Sequence, residues 1–171
     1  MTELAVTVLG HDRPGIVADV AGALATLGAN LTDSTMTRLR GHFAMTLICA
    51  GDLDAATVEA ALAGLAADGR LQVSVREVAE DSAAAVAGEL YLVSVHGADR
   101  LGIVAAVTRV LADAGGNITD LSTRLAGPLY LLIAEVQLPK DSADAVAARL
   151  AEVSDRLGVE VTLRRTEADL L

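Results

Sequence analysis

Two copies of a short polar motif carry the residues best suited to chemistry in this 171-residue chain. The first copy reads Gly-His-Asp-Arg-Pro-Gly-Ile-Val at residues 10–17, and the second reads Gly-Ala-Asp-Arg-Leu-Gly-Ile-Val at residues 97–104. In each copy an alternating apolar run precedes the motif and a helical pattern follows it. Because the first N–H groups of a helix have no intrahelical acceptor, such a junction can hold a carboxylate or a phosphate.

The same residues also suit the start of a helix that binds nothing. Asp is common near an N-cap, and Pro is common in the first helical turn. For a single copy of the motif we would favour that structural explanation. Two copies at the same place in a repeat shift the interpretation toward a binding site.

The composition predicts two small aliphatic cores and no basic surface. Hydrophobic residues make up 53% of the chain and aromatic residues only 2%, while the formal net charge is −10. Residues 1–78 carry 5 basic and 9 acidic side chains, and residues 89–166 carry 8 and 10. Neither half is a basic module, so we expect neither nucleic acid nor an anionic membrane as a partner.

Other features argue against an enzyme, a cofactor or a secreted protein. The single cysteine, Cys49, lies in an apolar run and is expected to be a buried thiol. The chain shows no signal-peptide pattern and no apolar run of membrane-spanning length, which predicts a cytoplasmic protein. The histidines lack metal-ligand spacing, and neither a phosphate loop nor a Ser-His-Asp order is evident. We therefore expect no metal, no cofactor and no catalytic residue.

Apolar periodicity predicts the element order βαββαβ in the first half of the chain. Strands are expected at residues 4–9, 30–39, 43–50 and 71–76. The first helix is expected to end at Gly28, and Asp54 is expected to cap the second. The predicted helical stripes are Ile16, Val17, Val20, Leu24 and Leu27 in the first helix and Val58, Leu62 and Leu65 in the second.

The second half repeats this order with an offset of 87 residues, as from Asp12 to Asp99. The offset becomes 86 between Arg38 and Arg124, which predicts that the second strand has lost one residue at a bulge. In the second helix the offset is 88. The predicted fold class is α+β, with two ferredoxin-like units in tandem, each an antiparallel sheet with helices on one face. The predicted organisation is domain 1–78, linker 79–88, domain 89–166 and tail 167–171.

The first half of the chain resembles the beginning of an ACT domain, a regulatory module that senses small molecules. The resemblance rests on a strand followed by Asp-Arg-Pro-Gly-Ile, then a helix, Gly-Ala-Asn-Leu and a Thr-rich strand. Two such modules and little else resemble the glycine cleavage system transcriptional repressor type of protein. The resemblance extends from about Leu4 to Arg165. It implies an amino acid or similar metabolite bound where two ACT domains meet, and we expect a regulatory protein partner. The exposed edge strands of each predicted sheet, which proteins usually cover or pair, predict a homodimer.

The resemblance also implies which residues form the binding site, namely the turn after the first strand and the start of the second strand. Helix N–H groups would take the ligand's α-carboxylate, and Asp or Asn oxygen atoms would accept from its α-ammonium. Since Asn30 opens the second strand directly after the first helix, we expect it near Asp12. Asn30 and Asn117 equally fit a purely structural role in a turn. The implied half-sites are Asp12, Arg13, Pro14, Gly15, Ile16, Asn30 and Leu31, and Asp99, Arg100, Leu101, Gly102, Ile103, Asn117 and Ile118.

Two departures from the family pattern bear on the ligand. Gly10 and Gly97 stand where serine-sensing relatives carry a histidine, which argues against serine. Leu101 replaces the motif's proline, which frees a backbone N–H but is expected to loosen the second turn and weaken its half-site.

Three functions of different classes fit the sequence. The first is a ligand-sensing regulator that acts on a protein partner. The alternative is an interaction module that serves dimerisation and whose ligand sites have decayed. The intact pairs Asp12 and Asp99, and Asn30 and Asn117, argue against it. An enzyme of folate or one-carbon metabolism is disfavoured because no catalytic domain follows the repeats.

Overall fold

The computed structural model describes residues 2–79 and 88–166, which fall into two compact units. Of the predicted linker at 79–88, only the first and last residues are described, and the predicted tail at 167–171 lies outside the described residues. Each unit is treated by itself below.

The first unit is a four-stranded antiparallel sheet with strand order β2-β3-β1-β4. The predicted order βαββαβ is confirmed, with a 3-10 helix at Ala63–Ala66 added after the second helix. Its elements are β1 (Thr2–His11), α1 (Ile16–Thr26), β2 (Asn30–Leu39), β3 (His42–Gly51), α2 (Ala55–Leu62) and β4 (Leu71–Val78).

The second unit repeats this topology with strand order β6-β7-β5-β8, again antiparallel throughout. The predicted α+β class, with two ferredoxin-like units in tandem, is therefore confirmed. Its elements are β5 (Glu89–Ala98), α3 (Ile103–Asp113), β6 (Asn117–Ala126), β7 (Leu129–Leu138), α4 (Ala143–Leu157) and β8 (Val159–Arg165).

Both cores are aliphatic and lie between the helices and one face of the sheet. In the first unit, alternate residues of β1 and the apolar stripes of α1 and α2 form a single buried cluster. The predicted stripe is wrong at Val17, which is 41% exposed, because a helix of 3.6 residues per turn rotates it away from Ile16 and Val20. No Asp, Glu, His, Lys or Arg among the described residues is buried.

The register of the edge strands corrects the predicted loss of a residue. A bulge interrupts both strands at the same place, between Leu31 and Asp33 in β2 and between Ile118 and Asp120 in β6. Both strands contain ten residues, so the offset between the repeats stays at 87 along the whole of β2 and β6. The extra residue of the second repeat lies instead in the connection before α4.

The two arginines matched in the sequence therefore lie on opposite faces of their sheets. Arg38 pairs with the buried Phe43 and so shares the helix-covered face. Arg124 pairs with Leu131, which lies on the face without helices. The residue that structurally corresponds to Arg38 is Leu125, because side chains alternate along a strand and a shift of one residue changes the face.

No helix in the described parts of the chain combines the length and the apolar character needed to cross a bilayer.

Candidate functional site

The motif turn has the same backbone conformation in both units. Gly15 and Gly102 are the N-caps of α1 and α3, in the left-handed region at φ 88° and 90°. Their carbonyl oxygens accept from the amides of Asp19 and Ala106, each at 2.9 Å. A left-handed backbone strongly favours glycine, which explains this residue in both copies.

This geometry contradicts two details of the helix-start explanation, namely Asp near the N-cap and Pro in the first helical turn. Neither helix has a side-chain hydrogen bond at its N-cap, so Asp12 caps nothing. Pro14 precedes the N-cap and is outside the first helical turn. Leu101 stands in its place in the second copy, yet the following glycine adopts nearly the same φ and ψ, so the expected loosening of the second turn is not seen in its conformation.

In the first unit both charged side chains of the motif are already paired. Arg38 of β2 donates from Nη1 to Asp12 Oδ2 at 3.4 Å. Arg13 Nη2 lies 2.9 Å from Asp19 Oδ2, and Arg13 Nη1 donates to the carbonyl oxygen of Pro14 at 3.2 Å. These pairs are exposed and hold the side chains in place more than they stabilise the fold, since exposed ion pairs contribute about 0–1 kcal/mol.

The hairpin between β2 and β3 completes the surroundings of Asp12. Its two turn residues, Arg40 and Gly41, both have positive φ, at 49° and 85°, as a type I′ turn requires. The carbonyl oxygen of Gly41 accepts from the Asp12 amide at 3.1 Å. The rings of His11 and His42 lie beside this turn with centroids 5.3 Å apart.

The second unit has a pocket at the corresponding position, with a volume of about 530 Å³. Pockets for small ligands commonly measure about 300–1,000 Å³. The binding site implied by the sequence did not include Tyr130, Val104 or Ala105, although Val104 closes the second copy of the motif and Tyr130 lies at the offset of 87 from Phe43. The lining residues are Asp99, Arg100, Leu101, Gly102, Ile103, Val104, Ala105 and Tyr130.

The expected proximity of Asn30 to Asp12 is wrong within the unit. Asn30 pairs with Ala50, which on its other side pairs with Glu3 near the start of β1, whereas Asp12 follows the end of β1. Nine residues of strand separate these two positions, about 30 Å. The reason is that α1 carries the chain back along β1, so β2 begins at the end of the sheet where β1 begins.

The second unit shows the same separation. Asn117 pairs with Gln137, which pairs with Leu90 near the start of β5, and it does not line the pocket. Ile118, like Leu31 in the first unit, is partly buried against its core.

Two further groups considered in the sequence were a metal cluster and the single cysteine. Among residues 2–79 and 88–166, no cluster of three or more His, Cys, Asp or Glu is arranged to hold a metal ion. Cys49 is buried as expected, and burial raises the pKa of its thiol.

Two βαββαβ units, each with a left-handed glycine turn leading from β-strand to helix, define a protein of two tandem ferredoxin-like domains. A profile of the ACT domain matches residues 2–76 and 89–164. The chain therefore belongs to the ACT domain family, and the resemblance read from the sequence is confirmed.

Relatives and solved structures agree with this assignment. A UPF0237 protein of Methanosarcina mazei is 34% identical over 80 residues, which cover 46% of this chain and 87% of the relative. A UPF0237 protein of Pyrobaculum aerophilum is 40% identical over 77 residues, covering 44% and 86%. A protein structure from Galdieria sulphuraria is 33% identical, with a TM-score of 0.83 over 97% of this chain and 99% of the other.

A structure assigned as a candidate glycine cleavage system transcriptional repressor shares the fold. Its TM-score is 0.68 at 18% identity, over 97% of this chain and 98% of the other.

Proposed function

We propose that this chain is a regulatory protein that binds a small amino acid or a related metabolite where two ACT domains meet and reports the bound state to a protein partner. The observation that carries this proposal is the pocket of about 530 Å³ formed by the second copy of the motif. Membership of the ACT family supports a regulatory role. The fold shared with a candidate repressor of the glycine cleavage system supports transcriptional control of amino-acid or one-carbon metabolism.

A ligand that contacts both parts of the implied site needs two domains. The turn at Asp12 and the strand start at Asn30 lie at opposite ends of one unit, and so do Asp99 and Asn117. One domain therefore contributes the turn, and another contributes the asparagine. The edge strands of each sheet offer unpaired backbone groups through which domains can associate, and we propose a homodimer.

A thermal-shift screen of the full chain against the twenty common amino acids tests the proposal. One amino acid or a few chemically related ones should raise the melting temperature, since a ligand at 100 times its dissociation constant adds about 2.7 kcal/mol to the free energy of unfolding.

Calorimetric titration with that amino acid then tests the asparagines. Asn30→Ala or Asn117→Ala should weaken binding about 10- to 100-fold with little change in stability. Unchanged affinity in both variants would remove the asparagines from the site.

The same screen separates sensing from the alternative, a dimerisation module with decayed ligand sites. Such a module would be a dimer by light scattering at tens of micromolar, but no amino acid would change its melting temperature. That combination of results would contradict the sensing proposal.

A further inference from the structure

The two half-sites differ in which of their charges are already neutralised. In the first unit, Asp12 is paired with Arg38, and Arg13 is paired with Asp19. The positions of the second unit that correspond to these partners hold Leu125 and Ala106, which carry no charge. Within residues 2–79 and 88–166, neither Asp99 nor Arg100 forms an ion pair or a side-chain hydrogen bond.

These two charges lie on the wall of the same pocket. A zwitterionic amino acid carries the complementary pair, an α-ammonium for the carboxylate of Asp99 and an α-carboxylate for the guanidinium of Arg100. In the first unit the same ligand would have to displace Arg38 and Asp19 from their partners. In the second unit it supplies the missing partners and displaces no ion pair.

The rest of the pocket wall is apolar, and part of it is unusually exposed. Leu101 is fully exposed, at 101% of the reference area of the residue, and Val104 is 37% exposed. Tyr130 adds an aromatic face that is only partly buried, whereas the matching Phe43 of the first unit is 1% exposed. Grouped apolar side chains left in water favour a partner that covers them.

The corresponding surface of the first unit is polar. On the helix-covered face, the position of Leu125 is occupied by Arg38. On the opposite face of the sheet, the positions of Leu129 and Ala98 are occupied by His42 and His11. Both Leu129 and Leu125 are more than two-fifths exposed. The polar-to-apolar exchange therefore extends beyond the pocket wall.

Resting on the proposed function, we propose that the second unit holds the ligand-accepting half-site and that this half-site selects an amino acid with an aliphatic side chain. Asp99 and Arg100 bind the two charged groups, and Leu101, Val104 and Tyr130 contact the side chain. This assignment reverses the expectation that Leu101 weakens the second half-site: the leucine supplies apolar contact that a ligand can cover.

Calorimetric titration of the full chain with L-leucine as the probe tests the assignment. L-Leucine should bind at least tenfold more tightly than L-aspartate or L-serine, because burial of its side chain against Leu101 and Tyr130 is favourable. Burial of the carboxylate of aspartate or of an unpaired serine hydroxyl against the same residues is unfavourable. N-acetyl-L-leucine and L-leucinamide should each bind at least tenfold more weakly, because each lacks one of the two charges.

Variants identify which unit binds. Arg100→Gln should weaken L-leucine binding about 10- to 100-fold, and Leu101→Asn about tenfold while changing glycine binding much less. Arg109→Gln, an exposed position on α3 outside the pocket, controls for the loss of one positive charge. Because Leu101 is fully exposed, its replacement should not change the melting temperature of the unliganded chain.

The outcomes separate this assignment from the proposed function. If L-aspartate or L-serine binds as tightly as L-leucine, or if Arg13→Gln weakens binding more than Arg100→Gln, the assignment is overturned while amino-acid sensing stands. If none of the twenty amino acids binds, the proposed function itself fails.

Discussion

At the scale of single residues, Gly10 shows that a backbone contact can select a residue within the repeated motif. A Cβ at this position would lie 2.0 Å from the carbonyl oxygen of Arg70, which itself accepts from the amide of His11 at 2.9 Å. Any larger residue would therefore push β1 away from the chain that enters β4. The absence of a histidine at Gly10 has a steric cause in this fold, independent of the choice of ligand.

Gly10→Ala should lower the free energy of unfolding by about 1–3 kcal/mol, the usual cost of forcing an extra methyl group into a packed site. Urea denaturation followed by circular dichroism measures this difference. Gly22→Ala is the matched control, because Gly22 lies inside α1 with nothing within 4 Å of an added Cβ. That variant should gain about 0.5–1 kcal/mol, since alanine is the better helix former. Equal stabilities of the two variants would contradict the steric account.

At the scale of secondary structure, α2 depends on its cap more than α4 does. Asp54 Oδ1 accepts from the backbone amide of Thr57 at 2.7 Å, at the start of a helix of only 8 residues. The corresponding α4 has 15 residues, and its N-cap Ser142 makes no capping hydrogen bond with its side chain. The short helix depends on this cap because it has few internal hydrogen bonds, so one unsatisfied terminal N–H costs a larger share of its stability.

Asp54→Ala should therefore lower the melting temperature at neutral pH, while Asp52→Ala, an exposed neighbour outside the helix, should leave it nearly unchanged. The hydrogen bond from Thr57 holds the pKa of the Asp54 carboxyl below its ordinary value. The charge of Asp54 therefore contributes its full stabilisation when the pH is above the ordinary pKa of an aspartate. This contribution is lost as the pH falls through the lowered pKa of Asp54 in the folded chain.

Melting curves of wild type and Asp54→Asn measured from neutral to acidic pH reveal this dependence. The asparagine still caps the helix but cannot titrate, so the advantage of the wild type should shrink on acidification. A difference in melting temperature that stays constant with pH would show that the charge of Asp54 is irrelevant.

At the scale of the whole molecule, the formal net charge of −10 governs its partners. Binding to duplex DNA gains most of its free energy when lysines and arginines release counterions from phosphate, and a chain of this charge has few cations to offer. We expect no binding to duplex DNA in a gel shift at neutral pH and moderate salt. Submicromolar, salt-sensitive binding to random DNA would contradict this expectation. If the chain does not bind DNA, any control of transcription that it exerts acts through a protein partner.

The sequence by itself determined the fold class, the duplication and the elements that hold the motif. Alternating residues such as Leu4, Val6 and Val8 specify a strand with one buried face, and the spacing of Val20 and Leu24 specifies a helix. These signals were readable because each depends on residues close together in the chain. The junction of strand, turn and helix was readable for the same reason, whereas the left-handed backbone of Gly15 and Gly102 came from the structure.

Only the tertiary structure decided which residues of the site meet. The order β2-β3-β1-β4 and its register place Arg38 beside Asp12 and place Asn30 at the far end of the sheet. In the second unit the register places Leu125 at the position that corresponds to Arg38. Two arginines that align in sequence proved to lie on opposite faces, because the side-chain period of a strand is two and one residue of register reverses it. Cross-strand contacts of this kind depend on which strand lies beside which, a choice made by the packing of the whole domain and not by the spacing of residues along the chain.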